Sequence, residues 1–160
     1  SPSTVRGKIV LFNHPFDLEM QASGEGLRAY GQAVQYRSSG AIAASRLGAA
    51  AVLVRSAGSS QNRLAHTGSV RYEEGVNAIP AAAVSSEDAA LLAYLARQGT
   101  TRVRLTLTPR RLPDAVSYNV IADLKGSERP QEIVIVSGHL DSWDLGTGAL
   151  DDAAGVAVSM

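Results

Sequence analysis

The chain has 160 residues, 45% of them hydrophobic, and its 15 basic side chains balance its 15 acidic ones. This length and composition predict a globular protein with a substantial core, and the neutral charge argues against a nucleic-acid or anionic-membrane partner. No cysteine is present, which excludes disulfides, catalytic thiolates and zinc sites built of sulfur. No apolar run reaches the roughly 20 residues of a membrane helix, and the first residues lack the pattern of a signal peptide.

The first third of the chain alternates between strand and helix patterns. An apolar, β-branched run predicts a short buried strand at residues 7–12, and a polar, glycine-containing stretch continues from it to Gly31. The alanine-rich segment 37–48 predicts a helix that ends at Gly48, followed by a buried strand at 51–54.

A polar segment and a clearly marked helix follow. Residues 55–75, rich in Ser, Gly, Asn and Arg, predict an exposed loop or hairpin. A short strand then leads to Ser85 or Ser86, either of which can cap a helix that has acidic residues in its first turn and ends at Gly99. Apolar and polar residues alternate strictly over 101–108, which predicts a half-buried strand.

The composition changes after residues 109–115, where two prolines and two arginines indicate a domain boundary. Residues 117–124 predict a strand. Residues 132–138 are apolar on both faces, which predicts a central strand of a sheet that is covered on both sides. A helix is predicted to begin near Asp152.

The sequence VSGHLDSWDLGTGALDDAAGV, residues 136–156, places one histidine and four aspartates just after the most apolar run of the chain. His139 follows a predicted strand, where catalytic groups of open α/β sheets gather; Asp141 is two residues on, and Asp151 follows a glycine-rich loop. Imidazole and carboxylate without thiolate suit zinc or a similar ion in a catalytic site, and a nearby aspartate can orient a ligating histidine. The competing interpretation is that these residues serve turns and a helix N-cap, with Asp151 or Asp152 as the cap.

The motif GHLDSWDLGTGALDDAAG resembles the metal-site signature of a zinc exopeptidase family, and the overlapping run SYNVIADLKGSERPQEIVIVSGHLDSWD resembles that family's entry into its peptidase domain. That family includes plasma glutamate carboxypeptidase, glutamate carboxypeptidase II and the bacterial leucyl aminopeptidases. The resemblance implies that His139 is the terminal ligand of one zinc, that Asp151 bridges two zincs, and that Asp141 orients the histidine. It also implies a cis peptide bond between Asp151 and Asp152, while Asp144 and Asp152 serve the loop, a helix cap or support of the ligands.

Two segments of the first part, YRSSGAIAASRLGAAAVLVRSAG and AIPAAAVSSEDAALLAYLARQG, resemble the protease-associated domain of such peptidases. The resemblance implies an α/β fold in which residues 1–112 form this domain, a β-rich, partly open barrel with flanking helices. Residues 113–160 would supply the first two strands and the start of a helix of an incomplete catalytic domain. The protease-associated domain is implied to lie over or beside the active site, to shape substrate access and to carry no catalytic chemistry.

The resemblance implies a mechanism as well. Two zincs polarise the scissile carbonyl and activate a bridging water, and a glutamate moves its proton to the leaving amine. The family's glutamate base and its remaining ligands follow the signature, and both ends of the chain have the pattern of a fragment, so the chain alone is predicted to be inactive and to hold zinc weakly or not at all. His14 and His66 lie in polar segments and are not expected to be ligands. Aminopeptidase and carboxypeptidase specificity both stay open.

The predicted partners are a peptide substrate and a second copy of the chain. A homodimer is expected because an apolar strand at 133–136 without sheet neighbours invites pairing with another chain. The resemblance implies a secreted or periplasmic protein. The alternative function is a non-catalytic module in which the protease-associated domain binds peptides, gates substrate or contacts other proteins.

Overall fold

A computed structural model describes residues 2–110, 112–143 and 146–160 of the chain. The chain divides into two compact units, Ser1–Arg110 (unit 1) and Arg111–Met160 (unit 2). The elements of unit 1 are α1 (Pro2–Val5), β1 (Ile9–Phe12), α2 (Leu18–Ala22), α3 (Gly26–Arg46), β2 (Ala51–Arg55), β3 (Ala81–Val84) and α4 (Ser86–Gln98); unit 2 contains α5 (Ala153–Ser159). Within the described ranges, no helix is both long enough and apolar enough to cross a bilayer.

Unit 1 is built on a parallel sheet whose strand order, β1-β2-β3, follows the chain. In the centre, Val52 of β2 is level with Val10 of β1 and with Ala81 of β3. Val52, Leu53 and Val54 are at most 4% exposed, as expected for a strand covered on both faces. The predicted strands at 7–12 and 51–54 are confirmed, and helices alternating with parallel strands agree with the predicted α/β class.

α3 packs a face of small residues against this sheet. Ala33, Ala41 and Ala44 on that face are at most 3% exposed. Gly40 allows the close approach, because a Cβ there would lie 2.7 Å from Cε2 of Phe12. A glycine inside a helix costs about 1 kcal/mol relative to alanine, but here it leaves room for the Phe12 ring to join the core.

α3 begins at Gly26, well before the start predicted at residue 37, and α2 occupies part of the stretch predicted to be irregular. Asp17 caps α2 by accepting two backbone N–H groups at 2.9 Å. Glycines near the start of α3 are weak helix formers and conceal it in the sequence. Ala29 and Ala33, both buried, continue the helical spacing of the alanines that follow them.

α4 agrees with its prediction at both ends. The Ser85 hydroxyl accepts from the N–H of Asp88 at 3.0 Å, and Gly99 is the C-cap. The long polar segment before β3 is a loop rather than a hairpin. Arg63 ties this loop to α4, since its guanidinium donates to the Asp88 carboxylate at 2.7 Å and its N–H donates to Glu87 at 3.1 Å. The hydrogen bond from Arg63 holds the pKa of Asp88 below its ordinary value.

Two further side chains hold the same loop in place. The Ser56 hydroxyl donates to the carbonyl of Val84 and accepts from the N–H of His66, both at 2.8 Å. The Arg37 guanidinium on α3 donates to the carbonyl of Thr67 at 3.0 Å. Partial burial, and then the charge of Arg37, lower the pKa of His66. This polar loop is therefore ordered by bonds from side chains to its backbone.

The structure contradicts three strand predictions. Residues 101–108, 117–124 and 132–138 form no strand in the part of the chain that the structure describes. A strand needs neighbours for its backbone groups, and side chains here lie open to solvent, as with Ile133 at 84% exposure. The β-rich, partly open barrel expected for residues 1–112 is not seen there either, since the strands of the described residues are β1 to β3.

Unit 2 contains the helix that the sequence predicts near its end. Asp152 is the N-cap of α5, and its carboxylate accepts from the N–H of Gly155 at 3.2 Å. The other described residues of unit 2 lie in turns and irregular segments. The candidate site therefore lies around the start of α5.

Candidate functional site

The residues predicted to form a metal site lie together at the start of α5. Asp151 directly precedes the N-cap of this helix, and His139 lies in the irregular segment before the glycine-containing loop. Nε2 of His139 is 2.9 Å from Oδ1 of Asp151. Nδ1 of the same ring is 2.9 Å from the backbone carbonyl oxygen of Asp141 and 3.2 Å from its Oδ1. The structure thus brings together all three residues singled out in the sequence.

The surroundings of His139 favour its protonated form. Its pKa is raised, first because the ring bonds the backbone carbonyl of Asp141; desolvation opposes this, and the carboxylate of Asp151 adds to it. The side chains are 50% exposed for His139, 91% for Asp141 and 81% for Asp151. Ion pairs this exposed contribute little to stability. These contacts therefore add little to the stability of unit 2.

The two candidate ligands lie in direct contact. Two ligands of one tetrahedral zinc, each about 2.0–2.1 Å from the metal, lie about 3.3 Å apart. Nε2 of His139 and Oδ1 of Asp151 are 2.9 Å apart, which is the distance of a direct hydrogen bond and is shorter than that spacing. A catalytic zinc takes three protein ligands, and the described residues contain no group of three or more His, Cys, Asp or Glu arranged to hold a metal. His139 and Asp151 are therefore candidate donors only, two in number.

An open cleft adjoins these donors. It is lined by His139, Asp141, Ser142, Trp143 and Asp151. Nothing in the sequence marked Ser142 or Trp143 as part of the site, because their place in the cleft follows from the path of the loop. The cleft provides space beside the two donors for a small polar or apolar group.

Asp152 was assigned from the sequence only to the loop, a cap or support of the ligands. In the structure it is the cap, and its Oδ2 also accepts from the backbone N–H of His139 at 3.1 Å. Gly138 and Gly155 lie at this contact, where added Cβ atoms would meet neighbours at 2.5 Å and 2.2 Å. In the sequence, the available signals for this contact were Gly138, directly before His139, and Gly155, three residues after Asp152.

The remaining sequence predictions concern four other positions. The rings of His14 and His66 pack in unit 1 on Tyr36 and Tyr30, with centroids 5.2 and 5.9 Å apart. Asp144 lies outside the described residues. The peptide bond from Asp151 to the next residue is cis, which confirms that expectation.

Comparison with known proteins identifies relatives of the chain. The sequence model of Peptidase family M28 matches residues 119–160. Human carboxypeptidase Q is 40% identical over 158 residues, 98% of this chain and 31% of that protein. Carboxypeptidase Q of Xenopus laevis is 43% identical over 155 residues, 96% of this chain and 31% of that protein. Probable leucine aminopeptidase 2 of Aspergillus fumigatus is 33% identical over 116 residues, 72% of this chain and 22% of that protein.

A solved structure agrees with these matches. The crystal structure of a peptidase M28 precursor from Shewanella amazonensis SB2B has a TM-score of 0.68 and 41% identity, over 97% of this chain and 34% of that chain. The chain spans only 31% of the carboxypeptidase Q sequences that it matches. Sequence and structure together confirm the recognition made from the motif: the chain belongs to the family of the M28 peptidases.

Proposed function

We propose that the protein containing this chain is a zinc-dependent exopeptidase in which His139 and Asp151 are two of the metal ligands. The observation that carries the proposal is the 2.9 Å separation of His139 Nε2 and Asp151 Oδ1, within the segment that matches Peptidase family M28. The names of the relatives, a carboxypeptidase and a probable aminopeptidase, support hydrolysis of peptide bonds. Because the chain spans 31% of carboxypeptidase Q, we assign the general base and the other ligands to the rest of the protein.

Each of the three side chains has a distinct task in this proposal. His139 binds through Nε2, since an oxygen acceptor at Nδ1 keeps the ring proton there and leaves the Nε2 lone pair for the metal. Asp141 supplies that acceptor through its carbonyl and its carboxylate. Asp151 directs one oxygen to His139 and is 81% exposed, so its carboxylate would be accessible to both ions of a two-zinc site. Zinc, when bound, supplies a Lewis acid that polarises the scissile carbonyl.

Metal content of the full-length protein tests the proposal. His139→Gln and Asp151→Asn each remove one donor, whereas Asp123→Asn removes a carboxylate outside the motif. We expect two zinc ions per chain in the wild type and in Asp123→Asn, and fewer in the other two variants, measured by mass spectrometry after dialysis. Hydrolysis of dipeptides should fall at least about 100-fold in both donor variants. A wild type without zinc, or an Asp151→Asn variant with full zinc and activity, contradicts the proposal.

The same preparations separate the enzyme from the alternative of a peptide-binding module. We assign to unit 1 the role of the protease-associated module on the resemblance of its sequence to that domain. If the protein only binds peptides, the wild type hydrolyses none of them and Asp151→Asn binds them with unchanged affinity. Peptides blocked at the amino or the carboxyl end then distinguish aminopeptidase from carboxypeptidase activity. Export from the cell belongs to the same proposal, and fractionation of the source cells tests it.

A further inference from the structure

The carboxylate of Asp152 joins two parts of the chain that carry the candidate ligands. Its Oδ1 accepts from the N–H of Gly155 at 3.2 Å, in the first turn of α5. Its Oδ2 accepts from the backbone N–H of His139 at 3.1 Å. One side chain thus binds the start of the helix and the backbone of the histidine at the same time.

Two glycines make this contact possible. A Cβ on Gly155 would lie 2.2 Å from Oδ1 of Asp152, and a Cβ on Gly138 would lie 2.5 Å from the backbone nitrogen of Val156. Real Cβ atoms do not approach other atoms so closely, so the backbone around residue 138 packs directly on the first turn of α5. We call Gly138, Asp152 and Gly155 together the 138–155 contact.

Burial sets this contact apart from its surroundings. Its three residues are half-buried, whereas His139, Asp151 and the first residues of α5 are exposed. A helix as short as α5, with seven residues, is marginal without help from its cap and from packing. The 138–155 contact provides both kinds of support, at the point where the two candidate ligands are closest.

The two candidate ligands are direct chain neighbours of residues in this contact. His139 directly follows Gly138, and Asp151 directly precedes Asp152. Fixing the 138–155 contact therefore fixes the backbone positions from which Nε2 of His139 and Oδ1 of Asp151 extend towards each other. Outer contacts of this kind commonly matter for metal affinity by a factor of about 10–100.

We infer that Asp152 is a positioning residue, which sets the spacing of His139 and Asp151 by accepting from the His139 N–H while it caps α5. The inference rests on the proposed function, because the spacing matters only if the two residues share a metal. Asp152 acts through its neighbours, and no metal ligand role is assigned to it.

Replacement of the cap by a shorter cap tests this inference in the full-length protein. Serine is a good N-cap, so Asp152→Ser preserves the start of α5, but its single short hydroxyl cannot also reach His139. Asp152→Asn keeps one acceptor oxygen and loses the other. Asp17→Ser, at the N-cap of α2 in unit 1, is the matched control, because it makes the same substitution away from the site.

Two readouts are needed, zinc affinity by competition with a chelator and hydrogen exchange of single backbone amides. We expect both Asp152 variants to bind zinc about 10–100-fold more weakly. The His139 N–H should exchange about tenfold faster without its charged acceptor, while the Gly155 N–H stays near its wild-type rate. Asp17→Ser should bind zinc as the wild type does.

A substitution that leaves Asp152 in place gives an independent check. Gly138→Ala forces residue 138 away from Val156, so it should weaken zinc binding to a similar degree. Gly31→Ala is its control, because a Cβ on Gly31 meets nothing within 4 Å.

The outcomes separate this inference from the proposed function. If Asp151→Asn loses zinc while Asp152→Ser and Gly138→Ala bind it normally, the inference is overturned and the proposed function stands. If the Asp152 variants release the Gly155 N–H but leave the His139 N–H at its wild-type rate, Asp152 is a cap alone, which also overturns the inference. If the wild type binds no zinc, the proposed function fails and the inference fails with it.

Discussion

Two apolar runs of similar composition behave in opposite ways in the two units. AVLV at residues 51–54 forms most of β2, and Val52 is fully buried. IVIV at residues 133–136 forms no strand, and Val134 is 88% exposed. The difference lies in the neighbours: β2 is paired with β1 on one side and β3 on the other, whereas the described residues of unit 2 contain no strand. A short apolar run therefore specifies a buried strand only where the rest of the fold supplies its partners.

Matched truncations in the two runs should give the largest difference. Leu53→Ala removes a side chain that is 3% exposed, and it should lower the free energy of unfolding by about 2–5 kcal/mol. Ile135→Ala removes one that is 82% exposed, and its effect should stay within about 0.5 kcal/mol. Urea unfolding of the 160-residue chain measures both. Equal effects would mean that residues 133–136 are buried in solution.

Self-association would bury residues 133–136 in solution. We expect the chain to form dimers at high concentration, because the exposed run at 133–136 can pair with another copy. The double substitution Ile133→Lys and Ile135→Lys should weaken this association about tenfold or more, since lysine opposes edge pairing and removes apolar area. Leu27→Lys, at an exposed position of α3, is the control. Sedimentation over a range of concentrations measures the association, and a wild type that stays monomeric throughout contradicts the expectation.

The smallest expected effect is the acid sensitivity of unit 1. The pKa of His66 is lowered by desolvation and by Arg37, so below its ordinary value near 6.5 the unfolded chain binds the proton more readily. The free energy of unfolding should therefore fall as the pH drops from about 6.5 towards the lower folded pKa. His66→Gln should remove this part of the slope, and the difference between wild-type and variant slopes isolates it from other groups. Identical slopes between pH 8 and pH 5 would show that His66 is solvated like a free histidine.

The success of the predictions in unit 1 depends on how local the signals are. α4 was predicted with both of its ends because Ser85 and Gly99 act within one turn of the helix. The start of α3 was missed because Gly26 and Gly31 are weak helix formers, and they conceal the first turns of the helix in the sequence. Residues 101–108 have strict strand alternation, yet their pattern cannot show whether a partner strand is available. The caps of a helix could be predicted from the sequence, whereas the pairing of strands could not.

The candidate site divides in a similar way. Residue types and the family motif were enough to single out His139, Asp141 and Asp151, and the structure places both aspartates within hydrogen-bonding distance of the histidine. The double contact of Asp152 was not predictable, because it requires that residue 138 approach the first turn of α5. That approach depends on the backbone path of the whole loop, and in the sequence only the glycines at 138 and 155 indicated it.

The order of strands in unit 1 has a consequence for protein synthesis. Because β1, β2 and β3 pair in the order in which they occur in the chain, each strand can join the sheet as soon as it is made. Translation at about 5–20 residues per second leaves several seconds between the end of unit 1 and the end of unit 2. The nascent chain can thus bury the core of unit 1 before the motif around His139 has left the ribosome.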